Sequence, residues 1–166
     1  MCLLTKTVKA NIEDNENVNL DEILQTANVQ TMPQISSKIA LVYDRASGKV
    51  LYEKNGYKQT KMASTTKIMT TIIVLENTNL SDTVIVSKKA AGTGGSRLGL
   101  KTNDKITVND LLMGLMLESG NDAAVALAEY VGGSIQGFAD LMNRKATELG
   151  LKNTNFVVPH GLDNED

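Results

Sequence analysis

Apolar and polar positions alternate along this chain in segments with different periods, and the period changes mark its elements. Ile39-Ala40-Leu41-Val42-Tyr43 and Lys49-Val50-Leu51-Tyr52 are short runs rich in β-forming residues. Asp44-Arg45-Ala46-Ser47-Gly48 lies between them, with Gly48 free to adopt a positive φ, so the pattern predicts a β-hairpin. Ser64 to Asn77 has helical length, and Ile68, Ile72 and Leu75 fall at helical spacing with Met69 and Ile73 beside them. Its many β-branched residues are also compatible with a strand.

Thr83 to Val86 reads as a short strand, Gly92 to Ser96 as a loop, and Lys101 to Lys105 as a turn. Thr107 is placed to cap a helix, with Asp110 three residues on, and Leu111 to Leu117 supply its core-facing side. After Ser119-Gly120 a second helix is expected, with Asn121 or Asp122 near its start and Ala123 to Val131 behind. Ser134 caps a third, running to Leu149 and stopped by Gly150. Asn153 to Asp166 reads as loop or strand. Residues 1–34 are polar and Asn- and acid-rich, with one or two helical turns at Asp21 to Ala27; they are expected to be a mobile leader, and 35–166 the folded part.

Composition narrows the function classes. With 42% hydrophobic and 22% charged residues the chain has the make-up of a globular domain, large enough to bury a core. A net charge of -2, two Phe, four Tyr and no Trp argue against nucleic-acid binding. One Cys (Cys2) and one His (His160) allow neither an internal disulfide nor a zinc site, so no metal and no cofactor is expected. The longest apolar stretch, Ile68 to Leu75, is broken by Thr70 and Thr71 and is too short to cross a bilayer. MCLLTKTVKA is not a complete signal peptide, although Val8-Lys9-Ala10 resembles the small-x-small pattern before a cleavage site.

The candidate chemistry lies in Ser64-Thr65-Thr66-Lys67. Residues three apart on a helix share a face, with Cβ atoms roughly 5–6 Å apart, so Lys67 can reach the Ser64 hydroxyl. Serine needs a neighbouring base to become a nucleophile, and a buried lysine with a lowered pKa can be that base. The motif alone is weak, since a capping serine before a solvated lysine gives the same letters. Ser119-Gly120-Asn121 strengthens it. This second motif lies at a break between two helices, where the Ser119 hydroxyl can relay a proton and the Asn121 amide can bind a substrate carbonyl while its oxygen steadies Lys67. Each motif occurs once in the chain.

Ser-x-x-Lys followed by Ser-x-Asn belongs to the signature of penicillin-binding proteins and β-lactamases. From about Lys38 to Asp163 the chain resembles the low-molecular-mass D-alanyl-D-alanine carboxypeptidases. The matching segments are Ala63 to Thr70, Gly94-Gly95-Ser96, Asp110 through Ser119-Gly120-Asn121-Asp122-Ala123, Asn153-Thr154 to Phe156, and His160-Gly161-Leu162-Asp163. Gly120, where class A β-lactamases carry Asp, favours a carboxypeptidase.

The resemblance implies a mixed α/β (α+β) fold of the β-lactamase/transpeptidase kind, an antiparallel sheet flanked by helices with the Ser64 helix in the middle. It implies Ser64 as acylated nucleophile, Lys67 as general base, Ser119 as proton relay and Asn121 as substrate-binding contact. The substrate would be a peptidoglycan stem peptide ending in D-Ala-D-Ala, β-lactams would acylate the same serine, and the site of action would be the cell envelope.

The family's third element, Lys-Thr-Gly, is missing; Lys101-Thr102-Asn103 lacks the glycine and precedes the second motif. The chain is therefore expected to be truncated before its closing strands, inactive as a fragment, and membrane-anchored only through a further C-terminal segment. Two alternatives stay open: a β-lactamase of the same fold, for which Glu165 offers no matching context, and an inactive interaction module. His160 is expected to be a loop histidine near the cleft.

Overall fold

The computed structural model describes residues 33–162, and the chain divides into two units, Met1–Gly56 and Tyr57–Asp166. The expected leader, its helical turns at Asp21 to Ala27, Cys2, Asp163 and Glu165 lie wholly or almost wholly outside the described residues.

In the first unit, β1 (Ala40–Asp44) and β2 (Lys49–Lys54) form the expected antiparallel hairpin, with a register shift between Val42 and Tyr43. Asp44 organises the turn: its carboxylate accepts from the Ala46 and Ser47 N–H groups and the Ser47 hydroxyl, and Gly48 N–H donates to the Asp44 carbonyl (2.9 Å). These bonds hold the Asp44 carboxyl below the usual carboxylate range.

The second unit begins with a single 3-10 turn, Ala63–Thr65, that runs into α1 (Thr66–Asn77). Ser64 therefore sits in the approach turn, not in the α-helix itself. β3 (Thr83–Ile85) pairs antiparallel with β4 (Lys105–Thr107), a three-residue strand the pattern was too short to reveal. Between them lies α2 (Lys88–Ala91), capped by the Ser87 hydroxyl. Among the described residues the strands thus form two separate two-stranded ladders.

Two of the three later helices start where their caps predict. The Thr107 hydroxyl accepts from Asp110 N–H (3.1 Å) at the head of α3 (Val108–Leu117). The Ser134 hydroxyl accepts from Gly137 N–H (2.9 Å) at the head of α5 (Ile135–Glu148). Between them, α4 (Asn121–Gly132) is buried along its first eight residues, Asn121 to Ala128. Its alanines let neighbours approach closely. Val74, Val84, Val86, Leu111, Leu115, Leu127, Phe138 and Met142 pack with it into one core.

Two helical faces differ from the pattern. On α1 the stripe Ile68, Ile72 and Leu75 is not the core face: Ile68 is 55% and Leu75 53% exposed. The buried face carries Thr66, Lys67, Met69, Thr70, Ile73 and Val74. Polar groups with partners inside displaced the expected stripe by part of a turn. On α3, Leu111, Leu112 and Leu115 are buried, while Met113, Met116 and Leu117 face outward.

Candidate active site

Four residues picked out in the sequence meet in one place. Lys67, one helical turn beyond Ser64, donates from Nζ to Ser64 Oγ (3.1 Å) and to Asn121 Oδ1 (2.7 Å). Ser119 Oγ donates to Ser64 Oγ at 3.1 Å. Ser64 thus bridges the lysine and the second serine, as the two motifs predicted.

Lys67 is 3% exposed. Its third proton goes to the His160 carbonyl oxygen (3.1 Å), so every Nζ donor has an acceptor and all three acceptors are uncharged. Burial, with no carboxylate among those acceptors, pulls the Lys67 ammonium below the usual lysine range. That is the environment in which a lysine can lose its proton and act as a base.

Backbone strain sits on both sides of Ser64. Ala63 has φ 48° and Ser119 has φ 55°, left-handed values that cost a non-glycine residue on the order of 1 kcal/mol. The first turns the chain into the 3-10 turn that carries Ser64. The second places the Ser119 side chain between the end of α3 and the start of α4, where it meets Ser64.

Asn121 opens α4 without capping it. Its N–H donates to the Ser96 carbonyl (2.8 Å) and its Nδ2 to the Gly94 carbonyl (2.9 Å), which leaves Oδ1 for Lys67. The side chain is almost fully buried. Of the two duties expected of it, the contact with Lys67 is in place, and Gly94 takes one of the two N–H groups of its amide.

One contribution escaped the sequence. His160 lies by the cleft as expected, but what it offers Lys67 is its backbone carbonyl, not its ring. Imidazole Nδ1 accepts from Leu162 N–H (3.1 Å), and burial, followed by the nearby Lys67 charge, lowers the ring pKa to about 4. Gly161 makes the approach possible: at φ 80°, a Cβ there would stand 1.9 Å from the Ala63 carbonyl oxygen. Thr70 Oγ1 donates to the Pro159 carbonyl (2.6 Å), and Asn143 clamps Phe156 through both its N–H and its carbonyl. The adjacent His-Gly pair was the available signal, but nothing in one sequence tells which atom of His160 would be used.

Ser64, Thr65, Lys67, Ile68, Leu115, Met116 and Ser119 line an open pocket of about 290 Å³. A larger cavity of about 540 Å³, bordered by Gln59 to Ala63 and Asn153 to Val158, contains none of the four candidate residues. Ser64, Lys67 and Ser119 all line the smaller one. Among the described residues, no His, Cys, Asp and Glu cluster could hold a metal ion, and no helix is long and apolar enough to cross a membrane.

Residues 25–166 match the D-alanyl-D-alanine carboxypeptidase family. The chain is 45% identical over 134 residues to D-alanyl-D-alanine carboxypeptidase DacF of Bacillus subtilis (strain 168), covering 78% of this chain and 34% of that protein. It is 43% identical over 142 residues to DacC of Escherichia coli (strain K12), covering 79% and 36%. In structure it resembles the D-alanyl-D-alanine carboxypeptidase DacD of Francisella tularensis, with TM-score 0.75, 38% identity and coverage of 81% of this chain and 34% of that one. Penicillin binding protein 5 of Haemophilus influenzae gives TM-score 0.75 at 37% identity, covering 81% and 41%. The chain spans about a third of the length of the curated relatives it matches. On this profile match, these identities and this shared fold, the chain belongs to the D-alanyl-D-alanine carboxypeptidase family.

Proposed function

We propose that the full-length protein is a serine-type carboxypeptidase that removes the terminal D-alanine from stem peptides ending in D-Ala-D-Ala. The observation that carries this reading is the continuous contact Ser119 Oγ, Ser64 Oγ, Lys67 Nζ, Asn121 Oδ1. In the first step Ser64 Oγ attacks the carbonyl carbon of the penultimate D-alanine, and the neutral Lys67 amine takes the serine proton. The tetrahedral intermediate collapses when the C–N bond to the terminal residue breaks. Ser119 passes a proton to the departing amine nitrogen and is reprotonated from Lys67. Water then attacks the Ser64 ester by the same relay in reverse, releasing the shortened peptide.

Asn121 holds the Lys67 amine in line throughout. β-Lactams would enter as acylating mimics of the same terminus, and the natural substrate places the reaction in the cell envelope. Carboxylate recognition is assigned to no residue of this sequence, because it contains no Lys-Thr-Gly. The family resemblance also puts one oxyanion donor on the Lys-Thr-Gly strand, so residues 1–166 expressed alone are expected to release D-alanine poorly, the loss of one such donor typically costing about 10²–10³ in rate.

The test uses the full-length gene product. Fluorescent penicillin should label it covalently, Ser64→Ala should not be labelled, and D-alanine should be released from a D-Ala-D-Ala peptide. Labelling of Ser64→Ala would remove Ser64 as the nucleophile. Rapid turnover of nitrocefin without D-alanine release would make the protein a β-lactamase instead.

A further inference from the structure

Next to Asn121 lies a carboxylate that the reaction scheme does not use. Asp122 is fully buried. Its Oδ1 accepts from Leu98 N–H (2.9 Å) and Ala123 N–H (2.9 Å), and its Oδ2 from Gly99 N–H (2.8 Å) and Leu100 N–H (3.0 Å). Three of these four donors belong to the irregular segment that follows α2. The carboxylate is spent on that segment's backbone; the acceptors around Lys67 are Ser64, Asn121 and the His160 carbonyl.

The same segment returns to the site. Its Gly94 carbonyl accepts from Asn121 Nδ2 and its Ser96 carbonyl from Asn121 N–H. An asparagine amide has a donor end and an acceptor end of nearly the same shape, so its orientation follows from its partners. With Nδ2 on Gly94, Oδ1 faces Lys67; the Gly94 carbonyl and the Lys67 donor together set this orientation. Besides these bonds, the Leu98 side chain lies against Gly114 of α3. Gly94 to Gly99 are all exposed, three of the six are glycines, and the first buried side chain is Leu100. Ordering so free a stretch has a large entropic cost, and charge-assisted bonds to a buried carboxylate are strong enough to offset it.

We propose that Asp122 is a positioning residue of this active site: it fixes residues 94–100, whose Gly94 carbonyl orients the Asn121 amide and, through it, Lys67. Asp122 acts through Asn121 and touches neither substrate nor nucleophile. Burial by itself would raise its pKa, but the four N–H groups outweigh burial and hold it below the usual carboxylate range, so the anchor is charged at neutral pH.

This inference rests on the proposed role of Ser64 and Lys67, and the experiment keeps the two apart. In the full-length protein, second-order acylation by fluorescent penicillin is measured for wild type, Asp122→Asn, Asn121→Ala, the double variant, and Ser64→Ala, with thermal melts reporting folding. Misplacing a reacting group by about 1 Å can cost about 10²-fold, so Asp122→Asn should slow acylation by about that factor while Asn121 is present. In the Asn121→Ala background the same substitution should cost less than about threefold, because residues that act through one another are not additive. A purely structural aspartate would give the same factor in both backgrounds, and that result, or wild-type acylation by folded Asp122→Asn, overturns the proposal.

Should Asp122→Asn fail to fold, Gly95→Ala tests the same junction. Its Cβ would stand 2.6 Å from Asn121 Nδ2, and the same loss of effect without Asn121 is expected. Equal factors in both backgrounds, or no slowing, overturn the proposal here too. If Ser64→Ala is labelled like wild type, the acyl-enzyme reading falls and this inference with it. If Ser64→Ala is silent and Asp122→Asn is neutral, only this inference falls.

Discussion

Helices α1 and α4 both deliver candidate residues to the site, yet they differ in the surface they bury. The first eight residues of α4 are all buried, six of them apolar, and its two polar members, Asn121 and Asp122, have their hydrogen bonds made. α1 turns Thr66, Lys67 and Thr70 inward and leaves Ile68 and Leu75 in the open. Hydrophobicity accounts for α4 but for only half of the buried face of α1. Beside Met69, Ile73 and Val74, α1 buries polar side chains with specific partners: Lys67 with three acceptors and Thr70 with the Pro159 carbonyl. A core helix fixes the frame, and against it a helix with a polar inner face holds the chemistry.

The largest expected effect would break this comparison at Lys67. Lys67→Ala in the full-length protein should slow penicillin acylation by about 10²–10⁴, the usual worth of general-base help. An unchanged rate would mean that the polar face of α1 is structural. The pH profile sharpens the same point. In the proposed mechanism neutral Lys67 is the active form, so acylation should climb as pH rises through the Lys67 pKa and then level off. Because burial lowers that pKa, the plateau should arrive at lower pH than for an ordinary lysine. A flat profile across the rise would exclude a lysine base.

On α4 the expectation concerns packing. Ala126→Leu adds bulk where the side chain is 2% exposed, and it should destabilise the fold by about 1–3 kcal/mol in chemical denaturation. Leu75→Ala on the outer face of α1, measured in residues 1–166, should stay within about 0.5 kcal/mol. Similar losses from the two substitutions would erase the distinction between the helices.

A further effect of about 1–2 kcal/mol belongs to His160. Its folded pKa of about 4 lies below the ordinary 6.5, so the unfolded chain takes up a proton that the folded one refuses. The stability contributed is therefore whole above pH 6.5 and is lost as pH falls toward 4, discounted here for the partial exposure of the ring. His160→Asn should flatten the fall between pH 6.5 and 4, and NMR titration of this sole histidine should give a midpoint well below 6.5. A midpoint near 6.5 would place the ring in water.

Several elements were legible because their causes are local. A hairpin needs two β-rich runs and a turn, and Asp44 to Gly48 provide the turn within five residues. Thr107 and Ser134 cap their helices through N–H groups three residues away. The reach from Lys67 to Ser64 is one helical turn, so it too is written locally. The ordered series of motifs carried the family, although it could not reveal β4, whose three residues become a strand only by pairing with β3.

Tertiary structure alone decided which face of α1 turned inward, which atom of His160 met Lys67, and what Asp122 was for. Each depends on partners far along the chain: His160 lies 93 residues from Lys67, and Leu98 lies 24 from Asp122. The apolar stripe on α1 gave no warning, since pattern measures the preference of a side chain for water and not whether a buried polar group finds acceptors. The residue types that make a nucleophile and a base possible are set by the sequence. Whether Lys67 is dry enough to be that base is set by the carbonyl, hydroxyl and amide that folding brings around it.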